Sequence, residues 1–379
     1  MKQMNDGIIP FYSSSEKVIV RSKDCYQYDS EGKKYIDFES GVWCTNIGHC
    51  NDRIAKVVAK QAVESVHHGY RFRNRYAEEL SAELQRLIGF RQGSSVFLSS
   101  GSEAVNMAIT LSRHLTGRTK ILKIDNSFLS SYGFGRISKD NGSLMTIAFN
   151  NLNDIAHIDY TEIAALVLEV GGASVEMVQF PGSEFITQLT AQAKKNKCVI
   201  VAEEVTTGIG RLGKWFGFQQ YNITPDIVVT GKALGNGFPV SAVTVSSDIA
   251  ESFNRTPFGY AQSHQNDPFG CAIGLEVIKI IEEEELIARA DTVGRYFKEQ
   301  LEQVWNKHTD KVKEVRACGL MLALELKESF DGKQLSDSLF EKGNVIGFKL
   351  NTLRFMPPLT IKTSDIDKMV AQLDDLLTD

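Results

Sequence analysis

No run of apolar residues approaches the ~20 needed to cross a bilayer. The opening residues, Met1-Lys2-Gln3-Met4-Asn5-Asp6, lead into no stretch resembling a signal peptide. No C-x-x-C pair occurs: Cys25, Cys44, Cys50, Cys198, Cys271 and Cys318 are scattered. That argues against a disulfide framework and against structural zinc, and a reducing cytoplasm fits the pattern. Cys44, His49 and Cys50 lie close in sequence but lack a second ligand pair, so they read as ordinary side chains and no metal is expected. There is no basic block, and 42 Lys and Arg against 47 Asp and Glu leave a net charge of −5. Nothing there attracts a phosphate backbone. No internal repeat or low-complexity tract occurs either, which sets solenoids aside. What is there is an ordinary globular mixture, 42% hydrophobic and 23% charged over 379 residues, enough for two layered domains with cores of their own.

The middle of the chain alternates short β-branched runs with amphipathic stretches. The pattern predicts strands at residues 95–98, 120–124, 165–169, 198–202, 226–230 and 240–245, with helices at 103–115 and 183–195 between them. Nearly continuous apolar strands in β-α alternation imply a mainly parallel sheet covered on both faces, with ligands beyond the carboxyl ends of its strands. After Pro268 the pattern changes to helices at 269–284 and 286–308, strands at 312–316 and 321–325, and helices at 334–342 and 364–377. The expected organisation is α/β: an N-terminal segment (1–50) joined to a smaller α+β domain (268–379), and a large domain (51–267) between them.

Three segments carry chemistry. In Ser99-Ser100-Gly101-Ser102-Glu103 a strand gives way to a helix through Ser100-x-x-Glu103, a capping box. The N–H groups at such a helix start form a seat for phosphate; the segment alone reads more readily as an ordinary capped helix. Glu203 and Glu204 close an apolar strand, where at least one must meet a cation or a donor, whether a protonated ring nitrogen or an internal Lys or Arg. Lys232 follows another apolar strand and precedes a glycine-rich loop. Desolvation there depresses an amine pKa and favours its use as a nucleophile, although a solvated loop lysine fits the same pattern.

Together these segments resemble the class III (ω-amino acid) aminotransferases, pyridoxal-phosphate enzymes of fold type I, over nearly the whole chain. The family's Ser-Gly-Thr-Glu-Ala turn is similar to Ser100-Gly101-Ser102-Glu103-Ala104. Its Asp-Glu-Val-Gln-Thr-Gly stretch is similar to Glu203-Glu204-Val205-Thr206-Thr207-Gly208, with Gly210-Arg211-Leu212-Gly213 after it. Its lysine segment resembles Gly231-Lys232-Ala233-Leu234-Gly235-Asn236-Gly237-Phe238-Pro239. Further matches are Ser40-Gly41, Gly48-His49, Asp267-Pro268, Gly319-Leu320-Met321 and Arg354 to Thr360.

The resemblance implies a Schiff base of pyridoxal 5′-phosphate on Lys232, which later carries a proton. It implies phosphate held by Gly101 and Ser102, with Ser263 from a neighbouring subunit of a homodimer. It implies the cofactor ring stacked between Phe128 and Val205, its nitrogen on Glu203, and a substrate carboxylate in the planar fork of Arg354. Four departures stand out. Glu203 replaces aspartate and adds about 1.5 Å of reach; Thr206 replaces the glutamine on the cofactor's phenolic oxygen; Leu129 replaces a histidine. The fourth is residues 169–174, Glu169-Val170-Gly171-Gly172-Ala173-Ser174, which lack the glutamate that gates Arg354 in ornithine-type members. Val42 stands where those members have tyrosine, so the pocket looks like that of acetylornithine or 4-aminobutyrate aminotransferases. The implied reaction moves an amino group from a small ω-amino acid such as acetylornithine to a 2-oxo acid such as 2-oxoglutarate. An aminomutase or racemase, or a non-catalytic cofactor-binding relative, is the alternative.

Overall fold

The computed structural model describes residue 9 and residues 15–125, 127–136, 142–170 and 177–378. A seven-stranded sheet forms its centre, in the order Ser94–Leu98, Ser241–Val245, Ile227–Thr230, Val199–Glu203, Ile163–Leu168, Lys120–Ile124, Leu144–Ile147. From Ile227–Thr230 outward every pairing is parallel, whereas Ser241–Val245 runs antiparallel to both its neighbours. The expected strands and helices of this region all form, with ends displaced by no more than about two residues.

The sheet is buried on both faces, and strand parity divides the core in two. Ala165, Val167, Val199, Val201, Ile227, Val229 and Val243 pack with Ala104, Val105 and Ala108 of the helix Gly101–Thr116. Their neighbours Leu166, Leu168, Ile200, Ala202 and Val228 point the other way. They meet Leu80 and Leu84 of Arg75–Ile88, Phe185 and Leu189 of Ser183–Lys195, and Ile273 and Val277 of Pro268–Glu283.

The C-terminal part folds as an antiparallel sheet in the order Val312–Cys318, Met321–Leu326, Thr352–Phe355, Gly347–Lys349. Helices Leu286–Lys307, Gly332–Glu341 and Thr363–Thr378 accompany it. The N-terminal strands Ile19–Lys23, Tyr26–Asp29 and Lys34–Asp37 form a meander whose last strand pairs in parallel with Asn344–Val345. Two further backbone bonds, Met356 N–H to Phe38 O at 2.7 Å and Leu359 N–H to Asn46 O at 2.7 Å, tie the two ends of the chain together beside the large sheet. Among the described residues no helix is long and apolar enough to cross a membrane.

Candidate active site

Strand parity separates the two carboxylates. Glu203, odd-numbered, falls on the face of the Gly101–Thr116 helix; Glu204 falls on the opposite face. There Glu204 accepts the Thr207 hydroxyl (2.6 Å) and the N–H groups of Gly217 (2.8 Å) and Phe218 (2.7 Å), so it orders the 216–218 backbone. Burial lifts its pKa to about 7 against the pull of those three donors. Glu203 is 5% exposed and accepts one N–H, that of Val205, at 3.0 Å. Burial raises its pKa, and the charge of Lys232 acts through space in the opposite sense.

Lys232 leaves the carboxyl end of Ile227–Thr230 and opens a single 3₁₀ turn, Lys232–Gly235. Its Nζ donates to Thr206 Oγ1 at 2.7 Å and lies 4.4 Å from the ring centroid of Trp43. Desolvation lowers its pKa, opposed by the charges of Glu203, Cys44 and Glu169. The loop beyond is docked by Asn236, which accepts the Ile47 N–H (3.1 Å) and donates to Gly48 O (2.9 Å).

At the helix start, Ser100 Oγ accepts the Glu103 N–H at 3.2 Å, as expected of a cap. The return half of the predicted box is different: Glu103 Oε2 accepts the N–H of Ser99, not of Ser100. Its other oxygen is held by Tyr260 and Gln262, which fixes the carboxylate one residue upstream. The N–H groups of Gly101 and Ser102 are the helix-start donors that no intrahelical carbonyl reaches. A Cβ on Gly101 would sit 2.6 Å from Val205 Cγ1, so only glycine lets this helix end approach Val205. Ser102 Oγ accepts the Ser131 N–H (2.8 Å), and the Phe128 N–H donates to Glu169 Oε2 (3.0 Å). The Phe128 ring is 48% exposed, whereas Leu129 is buried in the sheet core.

Arg354 lies in strand Thr352–Phe355 with Nη2 3.6 Å from Glu39 Oε1 and its guanidinium carbon 5.1 Å from the Trp43 ring centroid. The indole of Trp43 therefore has Lys232 and Arg354 both against its ring. Val42 is 60% exposed, and its neighbour Trp43 takes the inward position. The cause is a left-handed turn: Ser40, Gly41, Val42 and Trp43 have φ of 41°, 58°, 60° and 67°. Asp37 anchors it, accepting the N–H of Glu39 (2.8 Å), the N–H of Gly41 (2.8 Å) and His49 Nε2 (2.7 Å). Ser263 is exposed in the turn before Asp267, next to Gln262, which donates to Glu103 at the helix start. Residues 171–174 lie outside the described residues.

Sequence reasoning passed over Glu39, Trp43 and the anchoring role of Arg211. The Arg211 guanidinium is fully buried and donates to Leu320 O, Pro357 O, Ser40 Oγ and Asn46 Oδ1. The available signal for Glu39 was a carboxylate set among Phe38, Val42 and Trp43, where a solvated surface position is a poor fit. The resulting constellation is a desolvated amine, a buried carboxyl on the facing strand end, a helix start with unused N–H groups, and a guanidinium across an indole. That set can hold a phosphorylated heterocyclic aldehyde and a carboxylate-bearing amine side by side.

The model of the family described as Aminotransferase class-III matches residues 11–131 and 129–377. The chain is 31% identical over 392 residues to an acetylornithine aminotransferase of Caldanaerobacter subterraneus, covering 97% of this chain and 96% of the relative. It is 31% identical over 378 residues to one of Aquifex aeolicus, covering 94% and 96%. The solved acetylornithine aminotransferase of Elizabethkingia anophelis superposes with a TM-score of 0.87 at 26% identity, over 98% of this chain and 96% of that one. The large sheet with its lysine at a strand end is thus the fold of type I, and the chain belongs to the class III aminotransferases, enzymes that transfer amino groups with pyridoxal 5′-phosphate.

Proposed function

We propose that Lys232 is the residue to which the cofactor attaches, and that the enzyme takes the amino group from a small ω-amino acid and returns it to a 2-oxo acid such as 2-oxoglutarate. Acetylornithine belongs to that donor class. The observation that carries the reading is the Lys232 amine, desolvated and held on Thr206, with the buried Glu203 carboxyl one strand away.

The residues fit the cofactor on each side. Gly101 and Ser102 offer helix-start N–H groups to its phosphate, and the glycine is required there by the closeness of Val205. Val205 would lie against one ring face and Phe128 against the other. Glu203 would face the ring nitrogen; a carboxylate and a pyridinium ~4 Å apart attract by roughly 4 kcal/mol at an effective dielectric of 20. Thr206 orients the lysine amine, which leaves it fewer ways to reach the phenolic oxygen. When bound, the cofactor supplies the electron sink for the carbon that bears the amino group. Lys232 moves the proton at that carbon, and Trp43 walls the amine from water. Arg354 holds the carboxylate at the far end of the substrate in its fork.

We also propose a homodimer in a reducing compartment such as the cytoplasm. Val42, Val63, Val66, Tyr70, Phe72 and Phe128 are exposed apolar side chains of the kind a second copy would cover while bringing Ser263 to the phosphate. All six cysteines are free thiols.

The test of the reaction type is a half-reaction. Enzyme loaded with the amino form of the cofactor is expected to convert one equivalent of 2-oxoglutarate to glutamate per site, without any donor present. Formation of an isomerised amine with no 2-oxo acid requirement would sink the transfer reading. In the same assay, Glu203→Gln is expected to lower kcat by about 10²–10³-fold while the cofactor remains covalently attached, because the group that keeps the ring positive is neutralised.

A further inference from the structure

A second cluster of ligating side chains lies where the segment after helix Asp52–Glu64 meets the segment that leads into helix Pro268–Glu283. Asp267 stands just before the latter helix, at the position where an aspartate usually accepts helix-start N–H groups. Its carboxylate does not cap that helix. Each of its oxygens meets an imidazole instead. Oδ1 lies 2.5 Å from His67 Nδ1 and Oδ2 lies 2.6 Å from His264 Nδ1, with the two ring centroids 4.9 Å apart. Two ring nitrogens and a carboxylate oxygen thus fall within 4.8 Å of one another. His67 and Asp267 are 200 positions apart, so no motif spacing joins them.

The backbone around the cluster is tied down. Asn266, between His264 and Asp267, is left-handed with φ of 57°. Its side-chain oxygen accepts the Phe97 N–H at 2.9 Å, its own N–H donates to Phe97 O at 3.0 Å, and its carbonyl accepts Asn74 Nδ2 at 2.7 Å. Those bonds fasten the segment to the edge strand Ser94–Leu98 and to the start of helix Arg75–Ile88. Upstream, the His264 N–H donates to Gln262 Oε1, and Gln262 Nε2 donates to Glu103. Ligands carried on a fixed backbone lose little freedom when an ion arrives.

We propose that His67, His264 and Asp267 form a binding site for one divalent cation of the zinc type. Two imidazole nitrogens with a carboxylate suit zinc, cobalt and nickel, whereas magnesium and calcium take oxygen donors. Arms of ~2.0–2.1 Å around a tetrahedral ion set ligand atoms ~3.3 Å apart, so each imidazole–carboxylate contact opens by less than ~1 Å. A neutral imidazole presents its Nδ1 lone pair once its proton sits on Nε2, and no covalent step is needed. Both rings are exposed, so water completes the coordination. The ion clips the segment that carries Ser263 to the segment that carries His67 and closes a long loop of the chain. The site is independent of which amine the enzyme takes.

The test titrates the holoenzyme with Zn²⁺, after dialysis has removed first metal and then chelator and excess cofactor. One equivalent should bind per chain with a Kd of about 10 µM or tighter. At a free concentration about 100 times Kd, Tm should rise by about 2–5 °C. Co²⁺ should give the intense visible bands of a site with few ligands, lost on adding Zn²⁺ and kept in about a tenfold excess of Mg²⁺. Asp267→Asn retains a residue that can cap the helix, so its metal-free Tm should match wild type while its Zn²⁺ affinity falls at least about tenfold; His264→Gln should lose affinity likewise. Less than about half an equivalent bound at about 100 µM free Zn²⁺ overturns the site, as does affinity that both variants retain. A weak cobalt spectrum like that of the hydrated ion, or displacement by magnesium, overturns it too. Where a variant fails to fold, the stoichiometry and cobalt spectrum of wild type decide.

Discussion

Alanine in place of Lys232 lowers amino-group transfer by at least about 10⁴-fold and leaves the chain folded. The loss is expected to be large because, on the proposed reading, one amine has two tasks: to attach the cofactor and then to move the proton at the reacting carbon. Stability should barely move. Lys232 gives up one bond to Thr206 and a place against the Trp43 ring, while its ammonium is held at a desolvation cost that its lowered pKa records. A cation whose pKa falls on folding opposes folding below that value, so its removal relieves a penalty that offsets the lost contacts. Glu203, deprived of the nearby positive charge, stays protonated more readily. Two measurements check this. Borohydride reduction followed by mass spectrometry should add one cofactor to the wild-type chain on the peptide containing Lys232 and none to the variant. Thermal unfolding of the cofactor-free proteins should give Tm values within a few degrees. Cofactor fixed to a different lysine, or turnover within tenfold of wild type, would refute the assignment.

The second large effect concerns stability. Arg211→Met should cost about 3–5 kcal/mol in denaturant unfolding, the range found when one member of a buried charged network is removed. The guanidinium is fully buried and its partners come from both ends of the chain: Ser40 and Asn46 from the N-terminal segment, Leu320 and Pro357 from the C-terminal part. Burial pulls its pKa down to about 9, with the charge of Asp37 opposing, so it remains a cation at neutral pH. Methionine fills much of the volume but donates nothing. Two carbonyls, a hydroxyl and an amide oxygen then lose a donor in a dry interior, at about 1–3 kcal/mol for each that finds no substitute. Activity should fall as well, because Ser40 begins the turn that presents Glu39 and Trp43. A midpoint shift equivalent to less than about 1 kcal/mol, at unchanged m, would mean that the neighbours close over the gap by themselves.

Those two residues also mark the limits of reading this chain as text. Lys232 was legible because an apolar strand, a lone lysine and a glycine-rich loop are local signals, and local signals also located every expected strand and helix of the large sheet. Tyr26–Asp29, Lys34–Asp37 and Asn344–Val345 are too short to announce themselves by alternation, and they become strands only by pairing across the length of the chain. The residue pattern alone left Glu203 and Glu204 ambiguous and only the family resemblance singled out Glu203, although the parity of Val199–Glu203 separates them once the sheet's two faces are known. Val42 and Trp43 could not be assigned inward and outward positions by periodicity, since a left-handed turn obeys neither the helical nor the strand repeat. The Glu39–Arg354 contact joins residues from opposite ends of the chain, and no motif spans that distance.

The handedness of residues 40–43 has a consequence for how much of the chain the site needs. Serine, valine and tryptophan each resist this backbone region by roughly 1–2 kcal/mol, so the turn depends on contacts outside its own segment. Its final shape is held from distant parts of the chain: Arg211 donates to Ser40 Oγ, and the Ser40 hydroxyl in turn donates to Met356 O. A chain truncated before residue 356 is therefore expected to lack the turn that sets Trp43 beside Lys232.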